Sequence, residues 1–434
     1  MKKTLCLLWA LVVLCVSAAA VTQAELEQAL EGTAAYVAKT VETPKVGAIG
    51  GEWAVMGLAR SGGEVPKGYL AAVERYVKAC KGVLHEKKYT EYARVALALT
   101  AVGEDPRDVA GYDLLKPLEN YDHVTWQGVN GPIYALLALD AANYPSSTRQ
   151  RYVDYLLAAQ LPGGGWSLTG QEDTDLTAMA LQALAKYQEQ SKVKAATEKA
   201  LTFFAAQPYK TAESAAQVVV ALCELGRKDA LNDPVAALLR FRKADGSFVH
   251  NAAGTGNSQM ATEQGLYALA AAMRLAKGEP SLYRMAAFPD TLGHADNQAI
   301  QALADQGIVN GRPDGNFDPG ATLTRGEFAA IIVRVLELKE RNGTVFADVA
   351  PSAWYAPSVN AAYACGIVNG VGGGNFAPED TITRAHALLM VERAAKRLGV
   401  EHLKTTLSGN MSRPILRCEM ARLIYGLLKQ GGAL

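Results

Sequence analysis

The phrase GIVNGRPDGNFDPGATLTRGEFA, residues 307–329, returns later in the chain as GIVNGVGGGNFAPEDTITRAHAL, residues 366–388. Both copies contain closely spaced glycines and asparagines, an Asn-Phe pair followed two residues later by a proline, and then a Thr-Arg pair before an apolar stretch. An internal repeat means that one structural unit is used more than once, so it decides the architecture of this region. Each copy predicts a turn-rich loop followed by a helix.

Local chemistry supports this prediction. The Asn-Gly and Asp-Gly pairs ending at Gly311 and Gly315 predict turns with positive φ. Phe317 and its counterpart Phe376 are apolar residues in polar loops, so we expect them to fill a small core. Thr324 and its counterpart Thr383 stand where a helix N-cap is needed.

An arginine follows each capping threonine. Arg325 and Arg384 would lie in the first helical turn, where a cation opposes the helix dipole. A bound carboxylate would explain such an arginine, because a guanidinium can hold it through two parallel hydrogen bonds, aided by nearby helix N–H groups. A salt bridge to Asp290 or Asp348 is the alternative.

The repeats extend upstream, through FPDTLGHADNQAIQALADQGIVNG from Phe288 and FADVAPSAWYAPSVNAAYACGIVNG from Phe346. A further stretch, GNMSRPILRCEMARLIYGLLK, residues 409–429, has the same ending with a shorter loop. These segments resemble S-layer homology modules. The resemblance implies modules at 286–341 and 344–398 and a shortened one at 399–434. Three positions depart from the family pattern: Ala295 replaces a tryptophan, His386 a glutamate and Leu416 a threonine.

The resemblance implies a function for this region. Such modules bind secondary cell-wall polysaccharide, which often bears a pyruvate ketal and is then anionic. The polysaccharide-binding residues that it implies are Arg325, Glu327, Arg384, Trp354, Arg417, Glu419, Asp290 and Asp348. One or two of the three sites are expected to remain competent, because of the departures from the pattern.

The region before the modules has a different repeat. Helical stretches rich in Ala and Leu recur at intervals of about forty residues, each opening with a polar residue. They are apolar nearly all round and alternate with amphipathic stretches, so they predict buried helices with outer partners. The stretches from 51–62, 127–141 and 160–185 resemble the prenyltransferase and squalene-cyclase-like family. That resemblance implies an α/α toroid over residues 25–282 and makes the whole chain all-α.

A toroid would bring the starts of its inner helices together at one mouth. The residues predicted to line this ligand-binding cavity are Glu52, Trp53, Glu91, Trp126, Trp166, Asp175, Glu213 and Glu263. Acids at helix starts also cap the helix dipole without any ligand, and Trp166 is equally explained as a structural wedge.

One motif bears on catalysis in this cavity. The stretch DTDLTA, residues 173–178, resembles the acid motif of squalene-type cyclases, with Asp175 as the proton donor. Leu176 replaces the next acid of that motif. The zinc-binding Asp, Cys and His of the protein prenyltransferases have no counterpart, so no metal and no cofactor are expected.

Composition limits the remaining classes. The formal net charge is zero, which argues against a nucleic-acid partner. Lys2 and Lys3 precede the apolar stretch from Leu5 to Val16, so residues 1–24 predict a secretory signal peptide, with an uncleaved anchor as the alternative. No later stretch is apolar enough to span a membrane. Four cysteines, Cys80, Cys223, Cys365 and Cys418, are expected as buried free thiols.

Together these features predict a secreted bacterial surface protein. Its modules would anchor it non-covalently to cell-wall polysaccharide, and its toroid would bind an unknown ligand or partner. The alternative is a wall-tethered enzyme that acts in the toroid cavity, either cyclase- or transferase-like or carbohydrate-active.

Overall fold

The computed structural model describes residues 20–205, 207–256, 258–405 and 407–433, so most of the predicted signal peptide lies outside the described residues. This part of the chain forms seventeen α-helices and four short 3-10 helices, and its β contacts are isolated bridges. The all-α prediction is confirmed. No helix in the described ranges is long and apolar enough to cross a membrane.

The α-helices follow one another along the chain with short connections. Their bounds are α1 Gln23–Thr40, α2 Glu52–Arg60, α3 Tyr69–Ala79, α4 Thr90–Ala101, α5 Tyr121–Thr125, α6 Asn130–Ala141, α7 Arg149–Ala158, α8 Thr174–Leu184, α9 Ser191–Ala205, α10 Ala212–Glu224, α11 Asn232–Leu239, α12 Ser258–Lys277, α13 Asn297–Asp305, α14 Arg325–Val335, α15 Ala356–Ala364, α16 Arg384–Arg397 and α17 Arg417–Gln430. The 3-10 helices are Lys116–Glu119, Ala185–Tyr187, Lys228–Ala230 and Pro289–Thr291.

Six helices of the N-terminal region pack in a cyclic order. Each of α2, α4, α6, α8, α10 and α12 contacts the next, and α12 contacts α2. Nine of the twelve residues of α6 are buried, as expected for a helix that is apolar on all sides. Helices α1, α7, α9 and α11 pack against α12, α6, α8 and α10. We call these six helices the ring.

The chain has two apolar cores. One contains buried residues from Leu26 to Leu292 and belongs to the ring and its partners. The other contains buried residues from Phe288 to Leu428 and belongs to the repeats. Each is large enough to stabilise its own region through removal of apolar surface from water.

The segment 281–293, which joins α12 to the repeats, lies against the C-terminal ends of the ring helices. The Arg60 guanidinium at the end of α2 donates to Ser281 O at 2.9 Å. Beyond α4, the carbonyl of Gly103 accepts from the Gly293 N–H at 2.8 Å. The Ser281 hydroxyl donates to Glu224 at the end of α10, at 2.8 Å. The repeats therefore adjoin one end of the ring, and the N-terminal ends of its helices face away from them.

The repeats have the predicted helix–loop–helix order. The first contains α13 and α14 and the second α15 and α16, whereas α17 stands alone in the shortened third. Thr324 and Thr383 are N-caps whose hydroxyls accept from the backbone three residues later, as predicted. Phe317 and Phe376 are fully buried, which confirms that they fill the core.

One turn prediction was wrong. Gly315 has a φ of 87°, as expected, but Gly311 is not among the residues with positive φ. A Cβ on Gly311 would stand 2.7 Å from the Phe288 ring, and one on the equivalent Gly370 would stand 2.9 Å from Phe346. These two glycines are therefore explained by the close approach of an aromatic ring and of a loop carbonyl, Asn316 O at 3.0 Å and Asn375 O at 2.5 Å from the added Cβ, and not by left-handed backbone.

Candidate functional site

The three repeats interlock through the residues that precede their last helices. The Ile382 N–H donates to Leu323 O at 2.9 Å, and the Ile415 N–H donates to Ile382 O at 3.0 Å. The first amide of each helix donates to a carbonyl of another repeat: Arg325 to Asp380 at 2.9 Å, Arg384 to Arg413 at 3.0 Å and Arg417 to Ala321 at 2.8 Å. These amides are already engaged, so they do not assist ligand binding as the sequence suggested.

Each arginine side chain also reaches into the loop of another repeat. Arg325 Nε donates to Phe376 O at 2.9 Å and its Nη2 to Asn369 O at 3.3 Å. The guanidinium carbon lies 4.7 Å from the centre of the Phe376 ring, within the range of a cation–π contact. We call this arrangement the Arg325 cleft.

Arg417 repeats the same arrangement on the first loop. Its Nε donates to Phe317 O at 2.7 Å and its Nη2 to Asn310 O at 2.9 Å. The guanidinium carbon lies 4.4 Å from the centre of the Phe317 ring. The Arg417 cleft therefore uses the same backbone and aromatic contacts, although it belongs to the shortened repeat.

Neither of these guanidinium groups forms an ion pair with a described residue. Burial lowers the pKa of Arg325, and burial followed by repulsion from Arg312 lowers that of Arg417. Nη1 of each donates to no described residue, yet it is not among the buried polar atoms without a partner, so it retains contact with solvent. A partly desolvated cation with a free, accessible donor is suited to an anion.

Arg384 differs from the other two. Its Nε donates to Glu419 Oε2 at 3.1 Å, Nη2 also bonds to Glu419, and Nη1 donates to Ser408 O. Arg413 donates to the same carboxylate at 2.6 Å. The hydrogen bond that Arg384 donates to Glu419 raises the pKa of Arg384. A carboxylate from the protein thus occupies the position where a ligand carboxylate would bind.

Asp290 and Asp348 have a different role from the predicted one. Asp290 accepts from the amides of Phe317 at 2.8 Å and Asp318 at 2.7 Å. Asp348 accepts from Phe376 at 2.8 Å and from the following amide at 2.6 Å. Both carboxylates hold a loop in shape, and neither pairs with the arginines as the alternative interpretation required.

Two other predicted residues differ in how far the fold engages them. Glu327 completes a capping box, accepting from the Thr324 N–H at 2.9 Å, and its other oxygen lies 3.5 Å from Arg312 Nη1. Trp354 is 62% exposed and packs edge-on to Tyr355, 5.5 Å between ring centres. Trp354 is thus available to a ligand, whereas Glu327 is engaged within the fold.

Sequence reasoning missed Arg312. It lies in the first loop, near Arg417, and its Nε is 3.5 Å from Asp318 Oδ2. The signal was present, because the first copy of the phrase reads Gly-Arg-Pro-Asp where the second reads Gly-Val-Gly-Gly. Arg312 places a second cation beside Arg417, and that cation itself contacts Asp318 and Glu327.

Several predicted mouth residues do meet at the N-terminal end of the ring. Arg94 Nε lies 3.2 Å from Glu52 Oε2 and its Nη2 bonds to Glu91, which joins the starts of α2 and α4. Glu263 of α12 accepts from the Gly50 N–H at 2.8 Å. Burial raises the pKa of Glu52 and of Glu263.

Asp175 and Glu213 line a separate pocket of about 390 Å³. Glu213 lies 2.9 Å from His250 Nδ1. Burial raises the pKa of Asp175, and a hydrogen bond from Ser214 offsets part of this effect. The pocket thus combines a His–carboxylate pair with a second acid whose protonated form is favoured by burial.

The three predicted mouth tryptophans are in different environments. Trp126 is 60% exposed, with His123 4.4 Å away between ring centres. Trp53 is half-buried between Tyr134 and Tyr267, each 5.9 Å away. Trp166 is fully buried and its indole N–H donates to a carbonyl of α7 at 2.7 Å. Trp166 therefore packs within the fold and has no surface for a ligand.

The described cysteines are free, with Cys223 and Cys418 buried and the other two half-buried. His294, Asp296 and Cys418 are grouped closely enough to hold a metal ion. Arg422 Nε already lies 3.0 Å from Asp296 Oδ1, and the His294 Nδ1 accepts from the Asp296 N–H at 3.0 Å. The acid and the imidazole of this group are thus used within the fold.

Comparison with known proteins concerns the repeats. Residues 287–329 and 345–388 match the family described as the S-layer homology domain. The surface-layer 125 kDa protein of Lysinibacillus sphaericus is 39% identical over 90 residues, which is 21% of this chain and 8% of that protein. S-layer protein EA1 of Bacillus anthracis is 33% identical over 109 residues, 25% of this chain and 13% of that protein.

A third relative carries an enzyme name. Exoglucanase XynX of Acetivibrio thermocellus is 38% identical over 128 residues, 29% of this chain and 12% of that protein. The chain spans no more than 13% of the length of these three relatives. One of these relatives is named as an enzyme and two as surface-layer proteins, so the part that they share with this chain does not identify an activity. The matches do indicate a location at the cell surface or cell wall.

Proposed function

We propose that the repeats anchor the protein to an anionic cell-wall polysaccharide through the Arg325 and Arg417 clefts. The observation that carries this proposal is the state of the two guanidinium groups. Each is fixed by two backbone carbonyls and an aromatic ring, has no ion pair with a described residue and keeps one donor in contact with solvent. The match to S-layer homology domains supports the assignment.

The expected ligand group is a sugar carboxylate such as a pyruvate ketal. A carboxylate is planar and can accept from a guanidinium in a fixed geometry, and a charge-assisted hydrogen bond of this kind is stronger than a neutral one. The partial burial of both arginines reduces competition from water and salt. Exposed Trp354 adds an aromatic surface of the kind on which a sugar ring can pack.

Co-sedimentation of the full chain with isolated cell-wall sacculi tests the proposal. We expect wild-type protein to pellet, and to stay in the supernatant once the secondary polysaccharide has been removed from the sacculi. The double variant Arg325→Gln, Arg417→Gln should bind at least about tenfold more weakly. The matched variant Arg384→Gln should pellet like wild type, because Glu419 already occupies that guanidinium.

Circular dichroism and thermal melting show whether each variant folds before its binding is compared. Equal binding by the double variant and wild type would exclude the two clefts as the site. Polysaccharide-independent pelleting of the wild type would exclude the anchor itself.

The second part of the proposal is that residues 25–282 form an α/α toroid that binds a ligand or partner. The cyclic packing of six buried helices supports the architecture. The separate apolar cores support a division into the toroid and modules at 286–341, 344–398 and 399–434. Because the repeats adjoin the C-terminal ends of the ring helices, the acidic end would face away from the wall.

Catalysis in the toroid cavity is the second candidate function. One observation favours it: burial raises the pKa of Asp175, beside the Glu213–His250 pair. A general acid must hold its proton near neutral pH, and burial acts in that direction. Incubation of sacculi with full chain should then release soluble sugar or peptide fragments, and Asp175→Asn should abolish the release. No release by wild type would exclude this candidate for wall substrates.

A further inference from the structure

Large apolar side chains are exposed at one end of the ring. Four of them lie on the loops that precede α2, α4, α6 and α8: Ile49 is 41%, Val83 52%, Trp126 60% and Leu168 54% exposed. Among the described residues of the ring and its outer helices, Tyr76 on α3, 39% exposed, is the one further large apolar residue with comparable exposure. Exposed apolar groups that collect on one face indicate a contact surface.

These loops meet through direct contacts. The Tyr89 hydroxyl lies 2.8 Å from His123 Nδ1, and the Thr90 N–H donates to Gln127 Oε1 at 3.1 Å, which joins the starts of α4 and α6. Leu168 lies over Gly128, since a Cβ there would stand 2.8 Å from Leu168 Cδ2. Trp126 and Leu168 therefore belong to one continuous surface.

The apolar surface continues into the acidic pocket. A second pocket of about 360 Å³ is lined by Leu168 and Leu176 and by Glu172 and Asp173. The same two acids line the pocket that contains Asp175 and Glu213. Trp126, Leu168 and Asp175 therefore lie along one continuous path on the surface.

The charge along this path is of one sign. The charged residues that line the two pockets are Glu172, Asp173, Asp175 and Glu213, with His250 beside Glu213. No lysine or arginine is among the described lining residues of either pocket. Arg94, by contrast, pairs with Glu52 and Glu91 in another part of the mouth. At the Asp175 end, His250 is the one basic side chain among the described lining residues, and it contacts Glu213 and leaves Asp175 without a hydrogen-bonded cation.

We propose that this surface binds a polypeptide segment in which a lysine or arginine is flanked by an apolar side chain. The cation would enter the pocket of Asp175 and Glu213, and the apolar side chain would cover Leu168 and Trp126. The inference deepens the proposed partner-binding role of the toroid and rests on it.

A polypeptide fits the surface better than a glycan does. An aliphatic and aromatic patch lies next to an anionic pocket along this path. Two adjacent peptide side chains can supply an apolar group for the patch and a cation for the pocket. A neutral sugar supplies no cation. An amino sugar supplies a cation but no aliphatic group for Leu168 to cover.

A random heptapeptide display library, selected on the full chain, tests the proposal. Counter-selection uses the double variant Asp175→Asn, Glu213→Gln. We expect the recovered peptides to be enriched in lysine or arginine next to leucine, isoleucine or an aromatic residue. A recovered peptide, synthesised with a fluorophore, should bind the double variant about tenfold more weakly, which corresponds to about 1.4 kcal/mol.

Three comparisons give the test its specificity. Trp126→Ser should weaken the same peptide several-fold, whereas Asp154→Asn, an exposed acid on α7, should not change its affinity. Acetylation of the peptide's lysine should abolish binding. Recovery of no consensus, of a consensus without a cation, or of peptides that bind the double variant equally well would overturn the proposal, as would stronger binding of a glucosamine oligosaccharide.

Failure of this inference can be separated from failure of the wall anchor. The peptide-site variants lie on the ring, far in sequence from Arg325 and Arg417, and should sediment with sacculi like wild type. Loss of wall binding in the arginine variants with unchanged peptide affinity would likewise show that the two sites act independently.

Discussion

Arg325 and Arg384 occupy the same position of two successive repeats, yet they are in opposite states. Arg325 contacts only carbonyls and an aromatic ring, whereas Arg384 is paired with the buried carboxylate of Glu419. The difference lies in the repeat that follows each arginine. For Arg325 the third position of the following helix is His386, and for Arg384 it is Glu419. Whether the arginine of a cleft is ion-paired is therefore decided by the next repeat as much as by its own.

The Arg417 cleft shows that an acid at the third helical position is not sufficient to pair the arginine. Glu327 occupies the third position of α14, near Arg417, but its oxygens face the Thr324 N–H and Arg312. Arg417 consequently forms no ion pair with a described residue. The cation that Glu327 contacts is Arg312, whereas Glu419 contacts both Arg413 and Arg384.

The largest effect is expected from the aromatic rings beneath the two unpaired arginines. Phe376 is fully buried, so Phe376→Ala should lower the free energy of unfolding by about 3–5 kcal/mol, the usual cost of such a truncation. It should also weaken wall binding, because it removes the ring under Arg325. Urea unfolding measures the first effect and sacculus sedimentation the second.

Leu389→Ala is the control for this change, since Leu389 is 44% exposed on α16. It should alter stability by less than about 0.5 kcal/mol. A loss of under about 1 kcal/mol for Phe376→Ala would mean that the loop relaxes and does not rely on the ring.

The comparison can be reversed at His386. His386→Glu places at the start of α16 the residue that neutralises Arg384 from the start of α17. We expect an ion pair with Arg325 and about tenfold weaker wall binding. The same change completes a capping box with Thr383, so stability should rise by about 0.5–1 kcal/mol.

His386→Gln is the matched control, because it can also complete the capping box but brings no charge. Stability should rise with little change in wall binding. If His386→Glu and wild type pelleted equally well, the third helical position would not control the cleft.

The opposite change at Glu419 should create a competent cleft. Glu419→Gln preserves an acceptor for the Leu416 N–H but removes the charge that pairs with Arg384. Wall binding should increase several-fold, while thermal stability falls because a buried arginine loses its partner. Adding Arg384→Gln to this variant should return binding to the wild-type level. Unchanged binding in Glu419→Gln would show that the shortened loop itself prevents ligand entry.

The sequence was sufficient for features that depend on local pattern. Thr324 and Thr383 are recognisable as N-caps because each stands directly before a helix. Phe317 and Phe376 are recognisable as core residues because an apolar side chain in a polar loop needs a core to pack into. The pairing of Arg384 with Glu419 joins residues of two repeats, so the spacing within one repeat carried no information about it. The burial of Trp166 likewise depends on a contact with α7 that is not visible in its own motif.

The two apolar cores should also respond differently to acid, and this is the smallest effect expected. Burial raises the pKa of Glu52, Glu263 and Glu224 in the ring above the usual 4.5. Between 4.5 and those raised values the native protein binds protons that the unfolded chain has released. The free energy of unfolding of the ring should therefore rise as the pH falls through those raised values toward 4.5.

Glu419 gives the repeats the opposite dependence. Burial alone would raise its pKa, but hydrogen bonds from Arg384 and from the Leu416 N–H outweigh burial and lower the pKa below 4.5. Its stabilising effect is complete above 4.5 and is lost as the pH falls through the lowered value. Scanning calorimetry of the full chain should thus show the ring transition moving up as the pH falls toward 4.5, whereas Glu419 contributes no such rise to the transition of the repeats. Glu224→Gln should reduce the first shift, and a ring transition that moves down instead would mean that these carboxyls are ionised in the native protein.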